Sequence, residues 1–143
     1  MAHRVVVLAV DDVVGFDLGV PGQVFGAARD GAGVPLYQVT TCTEGGRPVR
    51  SSGGCRVLPD HDLGIVADAD TVVVPGIHGG PPLTAGTVSE PVARALRDAH
   101  TRGARVVSIC TGAAVLAAAG GGESKEPYRA VFDNAFGLTE GGD

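Results

Sequence analysis

A chain of 143 residues is long enough for one domain and short for two. Its 44% apolar and 19% charged residues exclude wholesale disorder, which needs low hydrophobicity and high charge, and its 23 glycines, more than twice the ordinary share of about 7%, follow no triplet period and so signal tight turns, not collagen. A net charge of −5 with scattered arginines lacks the basic stripe that nucleic-acid binding usually leaves, and no apolar run approaches the ~20 residues of a membrane span.

In chain order, residues 4–10 predict a strand whose continuous apolar run, Val5 to Val10, is the mark of burial on both faces in a helix-covered parallel sheet. Asp11 and Asp12 cut it off too early for a signal-peptide core. Asp17 falls in the loop that follows, and residues 20–29 predict a helix entered through Gly19-Val20-Pro21 and stopped near Gly31. Residues 37–43 alternate more strongly and suit a strand nearer the sheet edge. Residues 48–59, centred on Gly53-Gly54, predict a small hairpin.

Residues 71–74 and 105–109 are further buried strands. Between them lies the clearest helix, over 89–101. Ser89 serves as N-cap, Pro91 suits the first turn, Gly103 the stop, and Val92, Leu96 and Ala99 share one face. Residues 111–119 predict a helix of small apolar residues, able to lie close against a sheet. After Gly120 the composition changes: three successive glycines precede Lys125, the chain's one lysine, and Tyr128, Val131, Phe132, Ala135 and Phe136 share a helical face before Gly137. This stretch reads either as a last docked helix or as a foreign or frame-shifted end.

Alternating strands and helices give an α/β three-layer sandwich around a mostly parallel, flavodoxin- or Rossmann-like sheet. In such sheets ligands sit at the carboxyl ends of the strands, here residues 11–17, Pro75-Gly76 and Cys110. Ser108-Ile109-Cys110-Thr111-Gly112 ends a strand and opens a helix. A nucleophile on that turn is held at the sheet rim, the helix N-terminus favours a thiolate, and Gly112 removes a Cβ where the turn is tightest. The plainer reading makes Cys110 a small buried hydrophobe, and for Cys42 and Cys55, which lack the turn, that reading prevails. The Gly76 amide can pair with the Thr111 amide as an oxyanion hole, or Pro75-Gly76 can be an ordinary turn. Asp17 and Gln23 can orient a thiol or water, or serve as a cap and a solvated amide.

His78, in a Gly/Pro loop, is the histidine best placed for a site, whereas His100 comes late in a helix facing solvent. Asp60-His61-Asp62 is turn chemistry, since adjacent residues rarely face one metal. Three cysteines form an odd set without zinc spacing, which suits a reducing cytoplasm. No phosphate loop, dinucleotide fingerprint or zinc-protease helix occurs, so neither cofactor nor metal is expected.

Phe16-Asp17-Leu18 through Pro21-Gly22-Gln23-Val24-Phe25, the strand ending in Pro75-Gly76, and Ser108-Ile109-Cys110-Thr111-Gly112-Ala113 resemble, in content, order and spacing, the DJ-1/PfpI superfamily with its class I glutamine amidotransferase-like fold. The resemblance runs from about residue 4 to residue 120 and is nearest to the N-terminal sensor domain of AraC-type transcriptional regulators. It implies a small-molecule ligand and a homodimer. Isonitrile hydratase-like relatives use an Asp, a Cys and a following Thr, which correspond to Asp17, Cys110 and Thr111. Peptidase-type relatives place His after the cysteine, where this chain has Thr111, and many members have a Glu near the position of Gln23. Beyond residue 120 the family continues with further strand and helix, and the regulators with a DNA-binding domain; neither is recognisable in 121–143. The expectation is a shortened DJ-1/PfpI-like domain over 1–120 with an atypical tail over 121–143 that does not itself read DNA. Two functions follow. One is a metabolite sensor at the Cys110 rim, with Gly76, Gln23, Gly112 and His78 around the ligand; the other is a cysteine hydratase or amidohydrolase with Cys110, Asp17 and Thr111 in the catalytic roles.

Overall fold

Valine-rich segments of the chain assemble edge to edge because they have two apolar faces to bury. In the computed structural model, which describes residues 2–120, β1 (His3–Leu8) and β6 (Thr71–Val74) form the sheet centre, flanked by β2 (Tyr37–Thr43) and β7 (Arg105–Ser108). The order is β5-β2-β1-β6-β7, with β5 reduced to His61–Asp62, and every pairing is parallel. Register is fixed by rows such as Val39–Val5–Thr71–Arg105.

Alternation along the central strands sends side chains to opposite layers. Val6, Leu8, Val72 and Val74 join one core with Leu96 of α3 (Glu90–Thr101) and Val115 of α4 (Gly112–Ala119). Val5, Val73 and Val107 face the other way, toward Val20, Pro21 and Phe25 of α1 (Gly15–Gly26). The result is the expected helix–sheet–helix sandwich. Besides the short α2 (Pro81–Thr84), a two-stranded antiparallel ribbon, β3 (Val49–Arg50) and β4 (Arg56–Val57), stands apart where the hairpin was expected, with Gly54 at φ 73°.

The N-cap of α3 forms as its sequence dictates: Ser89 Oγ accepts from the Val92 N–H at 3.4 Å, and Gly103 stops the helix at φ 93°. Helix α1 departs from expectation. It begins at Gly15 and ends at Gly26, so Asp17 lies in its first turn, not in a loop, and Pro21 lies inside it. Tertiary contacts set that start: Val13 bridges to both Ser51 and Ile77, and the Val14 N–H donates to the Gly76 carbonyl at 2.8 Å, so the chain turns into the helix at once. Pro21 lacks one helical donor but is buried against the sheet. The sequence reading also missed β5 and the 3₁₀ segment Leu63–Asp68, which is capped by Asp62 accepting from the Gly64 N–H. Within the Asp60-His61-Asp62 run, Asp62 is thus a cap, while His61 and Asp62 pair as β5. The helical face expected over 128–136 and the tail over 121–143 lie outside the described residues.

No helix among the described residues is long and apolar enough to cross a membrane, and these residues contain no cluster of three or more His, Cys, Asp or Glu side chains able to hold a metal.

Candidate functional site

Moving outward from β1 to β2 and returning to β6 creates a switch point at the carboxyl ends of β1 and β6, where an open α/β sheet offers a crevice. The residues delivered there come from three elements: the first turn of α1, the turn after β6, and the junction between β7 and α4.

That junction bends sharply. The Ile109 N–H still donates to the Val74 carbonyl, but Cys110 takes φ 50°, in the left-handed region, before α4 begins. Such a conformation costs a non-glycine residue on the order of 1–3 kcal/mol and persists only where the surroundings enforce it. Gly112 is part of that enforcement. A Cβ there would overlap the Val74 carbonyl oxygen and lie 2.8 Å from that of Pro75, backbone atoms that cannot step aside. Thr111 supplies the rest. Its hydroxyl donates to the Ile77 carbonyl at 2.6 Å and accepts from the Ile77 N–H at 2.8 Å, locking the elbow to the loop after β6. The Cys110 thiol is left exposed at the rim.

Gly76 lies at the centre of the group. A side chain on it would overlap an Asp17 carboxylate oxygen, sit 3.2 Å from Thr111 Oγ1 and 3.4 Å from Cys110 Cβ. Asp17, Gly76, Cys110 and Thr111 therefore converge as expected, and the absence of a Cβ at Gly76 is what lets the carboxylate approach. Among the described residues, no backbone acceptor takes the N–H of Gly76 or of Thr111. Phe16, 82% exposed, stands next to Asp17 on the same helix turn.

Gln23 and His78 do not join this group through any described contact. Gln23 faces solvent nearly two turns along α1. His78 is exposed, with Nε2 4.0 Å from Asp12 Oδ1. Asp12, in the loop after β1, holds φ 67°, and its carboxylate also accepts from Arg50 Nε at 3.3 Å. With Asp11 nearby, these contacts raise the Arg50 pKa further above its ordinary value, the Asp12 hydrogen bond foremost. Sequence reasoning missed this Asp12–Arg50 link. The available signal was an Asp pair directly after a strand, since Asp tolerates the left-handed region.

The other cysteines differ from one another. Cys42 is fully buried on β2, and burial, with the Asp62 charge as a lesser cause, pushes its pKa up to about 12. Cys55, expected to be buried, is exposed at the ribbon, 3.5 Å from Ser51 Oγ, because a two-residue strand pair has no second layer to cover it.

This architecture has known counterparts. The model of the DJ-1/PfpI family matches residues 3–127. A protein encoded in the cpoL 5′ region of Streptomyces lividans is 42% identical over 119 residues, covering 82% of this chain and 80% of its own. Among solved structures, Drosophila melanogaster DJ-1beta superposes with a TM-score of 0.68 at 27% identity, over 84% of this chain and 61% of the fly chain. An AraC family transcriptional regulator from Pseudomonas putida superposes with a TM-score of 0.64 at 20% identity, over 78% of this chain and 66% of its own. The chain thus spans about three fifths of the Drosophila structure.

Proposed function

The chain belongs to the DJ-1/PfpI family, and from that premise we propose that it is a small-molecule-sensing domain of, or derived from, an AraC-type transcriptional regulator, with its ligand at the Cys110 rim. The observation that carries this reading is the rim itself: the Asp17 carboxylate packed against Gly76 beside an exposed Cys110 thiol, with Thr111 alongside. That set can grip a small polar molecule, while His78, in the loop after β6, has its Nε2 4.0 Å from Asp12 Oδ1 and makes no described contact with the thiol. The shared fold with the Pseudomonas putida regulator and the Val20-Pro21-Gly22-Gln23-Val24-Phe25-Gly26 segment agree with it.

A second reading, a cysteine hydratase, is favoured by the convergence of Asp17, Cys110 and Thr111 around Gly76. The two separate experimentally. A sensor binds a metabolite that raises the melting temperature, slows iodoacetamide labelling of Cys110 and is recovered unchanged. A hydratase adds water across an alkyl isonitrile to give the N-alkyl formamide, and loses that turnover in Cys110→Ala. Formamide production by the wild type alone overturns the sensor reading. A metabolite screen in which nothing protects Cys110 also counts against it.

A further inference from the structure

Between the two-stranded ribbon and the start of α3, the apolar clusters of the molecule leave a gap. Val10 and Val88 pack with Val92 in the large core on the α3 side of the sheet, whereas Val49 of β3 belongs to the small cluster at the ribbon. The gap is a cavity of about 400 Å³, walled by these four residues together with Pro81 and Pro82 of α2. Small-molecule sites commonly have this size and this apolar lining. It lies at the carboxyl end of β1, the edge at which an open α/β sheet receives ligands, but on the α3 side. Neither Asp17 nor Cys110 lines it. The wall from Pro81 to Thr87 is preformed: proline fixes φ, and the N–H groups of Ala85 and Thr87 both donate to the Pro81 carbonyl, at 2.8 and 3.3 Å. A site ordered beforehand loses less entropy on binding.

The polar groups of the lining decide what fits. Asp11 accepts from the Arg50 backbone N–H at 2.9 Å and has the Arg50 guanidinium 3.9 Å away. Glu44 pairs with Arg47 at 3.4 Å, and Ser89 Oγ is occupied by the Val92 N–H. Thr87 is the remaining polar side chain of the lining, and its hydroxyl has no partner among the described residues. An ionised ligand entering here would give up water without meeting a spare counter-charge, which is unfavourable. An uncharged ligand exchanges water for apolar walls and gains by it. We propose that this cavity is a second ligand site, taking an uncharged, ring-sized apolar molecule with one hydroxyl or carbonyl that hydrogen-bonds Thr87. The site stands independently of the function proposed for the Cys110 rim.

Cyclohexanol, cyclohexanecarboxylate and cyclohexylammonium share one ring and differ in charge, so together they test the assignment. Each is titrated at neutral pH into the isotope-labelled full chain and followed by amide NMR. Cyclohexanol should shift the amides of Val10, Val88 and Val92 saturably, with a Kd of about 1 mM, and either ion should bind at least about tenfold more weakly. Thr87→Val, at an exposed position, should weaken cyclohexanol roughly two- to tenfold. Val88→Trp, which fills the cavity, should abolish the shifts while the spectrum stays dispersed. Protein alkylated at Cys110 with iodoacetamide should bind cyclohexanol as the untreated protein does, which separates this site from the rim. The proposal is overturned if no saturable shift appears by about 20 mM cyclohexanol, or if either ion binds as tightly as the alcohol. It is equally overturned if Thr87→Val or a folded Val88→Trp binds like the wild type, or if alkylation of Cys110 removes the binding, which would place the ligand at the rim.

Discussion

Three cysteines in one small chain illustrate how position, not residue type, sets chemistry. Cys110 and Cys55 are exposed and Cys42 is fully buried. Cys110 alone follows a strand and precedes a helix, at φ 50°, which holds its side chain out at the sheet rim. Iodoacetamide labelling of the folded protein, mapped by mass spectrometry across pH, should therefore modify Cys110 first, Cys55 more slowly and Cys42 only on unfolding; earlier labelling of Cys55 would contradict the role given to the elbow. Cys42 yields a stability prediction with a definite sign. Its pKa in the fold is pushed up to about 12 against an ordinary 9.0, so below pH 9 both folded and unfolded chains keep the proton and nothing changes. Above pH 9 the unfolded chain releases it and the folded chain does not, so stability falls as pH rises toward 12. The decline should approach ~1.4 kcal/mol per pH unit, and the urea midpoint of Cys42→Ala should fall less steeply over the same interval. Equal slopes in the two proteins would remove Cys42 as the cause.

At the level of elements, local signals succeeded where the chain's own capping and periodicity decide the outcome. The helix over 89–101 was legible because Ser89 and Gly103 bracket a clean apolar face. Ser89→Ala should lower the unfolding free energy by about 0.5–2 kcal/mol, read from denaturant titration, with the largest loss of amide protection in the first turn of α3. The elbow residues were legible from the strand–turn–helix order, but the reason Thr111 matters was not. Its hydroxyl partners, the backbone groups of Ile77, lie 34 positions away in sequence, and no local pattern announces them. Thr111→Val keeps the shape and strands both Ile77 groups, so a loss of roughly 1–3 kcal/mol is expected, along with exchange broadening of the Cys110 amide resonance as the elbow loosens. A change below about 0.5 kcal/mol would show that the loop holds without this link. The start of α1 was illegible for a related reason. Pro21 suggests a helix entrance, and only the pairing of Val13 with Ser51 and Ile77 moves that entrance to Gly15.

For the whole molecule, the sheet order could be anticipated only as far as alternating strands and helices imply a parallel sandwich. Which strand became central depended on β1 and β6 being buried on both faces, β6 along its whole length and β1 over its last four residues. The same whole-molecule view governs the partners the chain can take. Binding to duplex DNA without sequence preference rests on neutralising phosphates with Lys and Arg and releasing their counterions. This chain carries 11 basic against 16 acidic residues, a net charge of −5, and several arginines are already paired within the fold: Arg50 with Asp11 and Asp12, Arg47 with Glu44, Arg97 with Glu90. A duplex approaching the Cys110 rim meets Asp11, Asp12 and Asp17 first, so the field there repels phosphate. Fluorescence anisotropy with a labelled duplex at low salt, the condition most favourable to binding, should therefore register no affinity tighter than about 100 μM, the loose end of ordinary non-specific binding. Submicromolar binding that weakens steeply with salt would require a basic surface that these charges do not provide, and would make the chain itself a DNA reader.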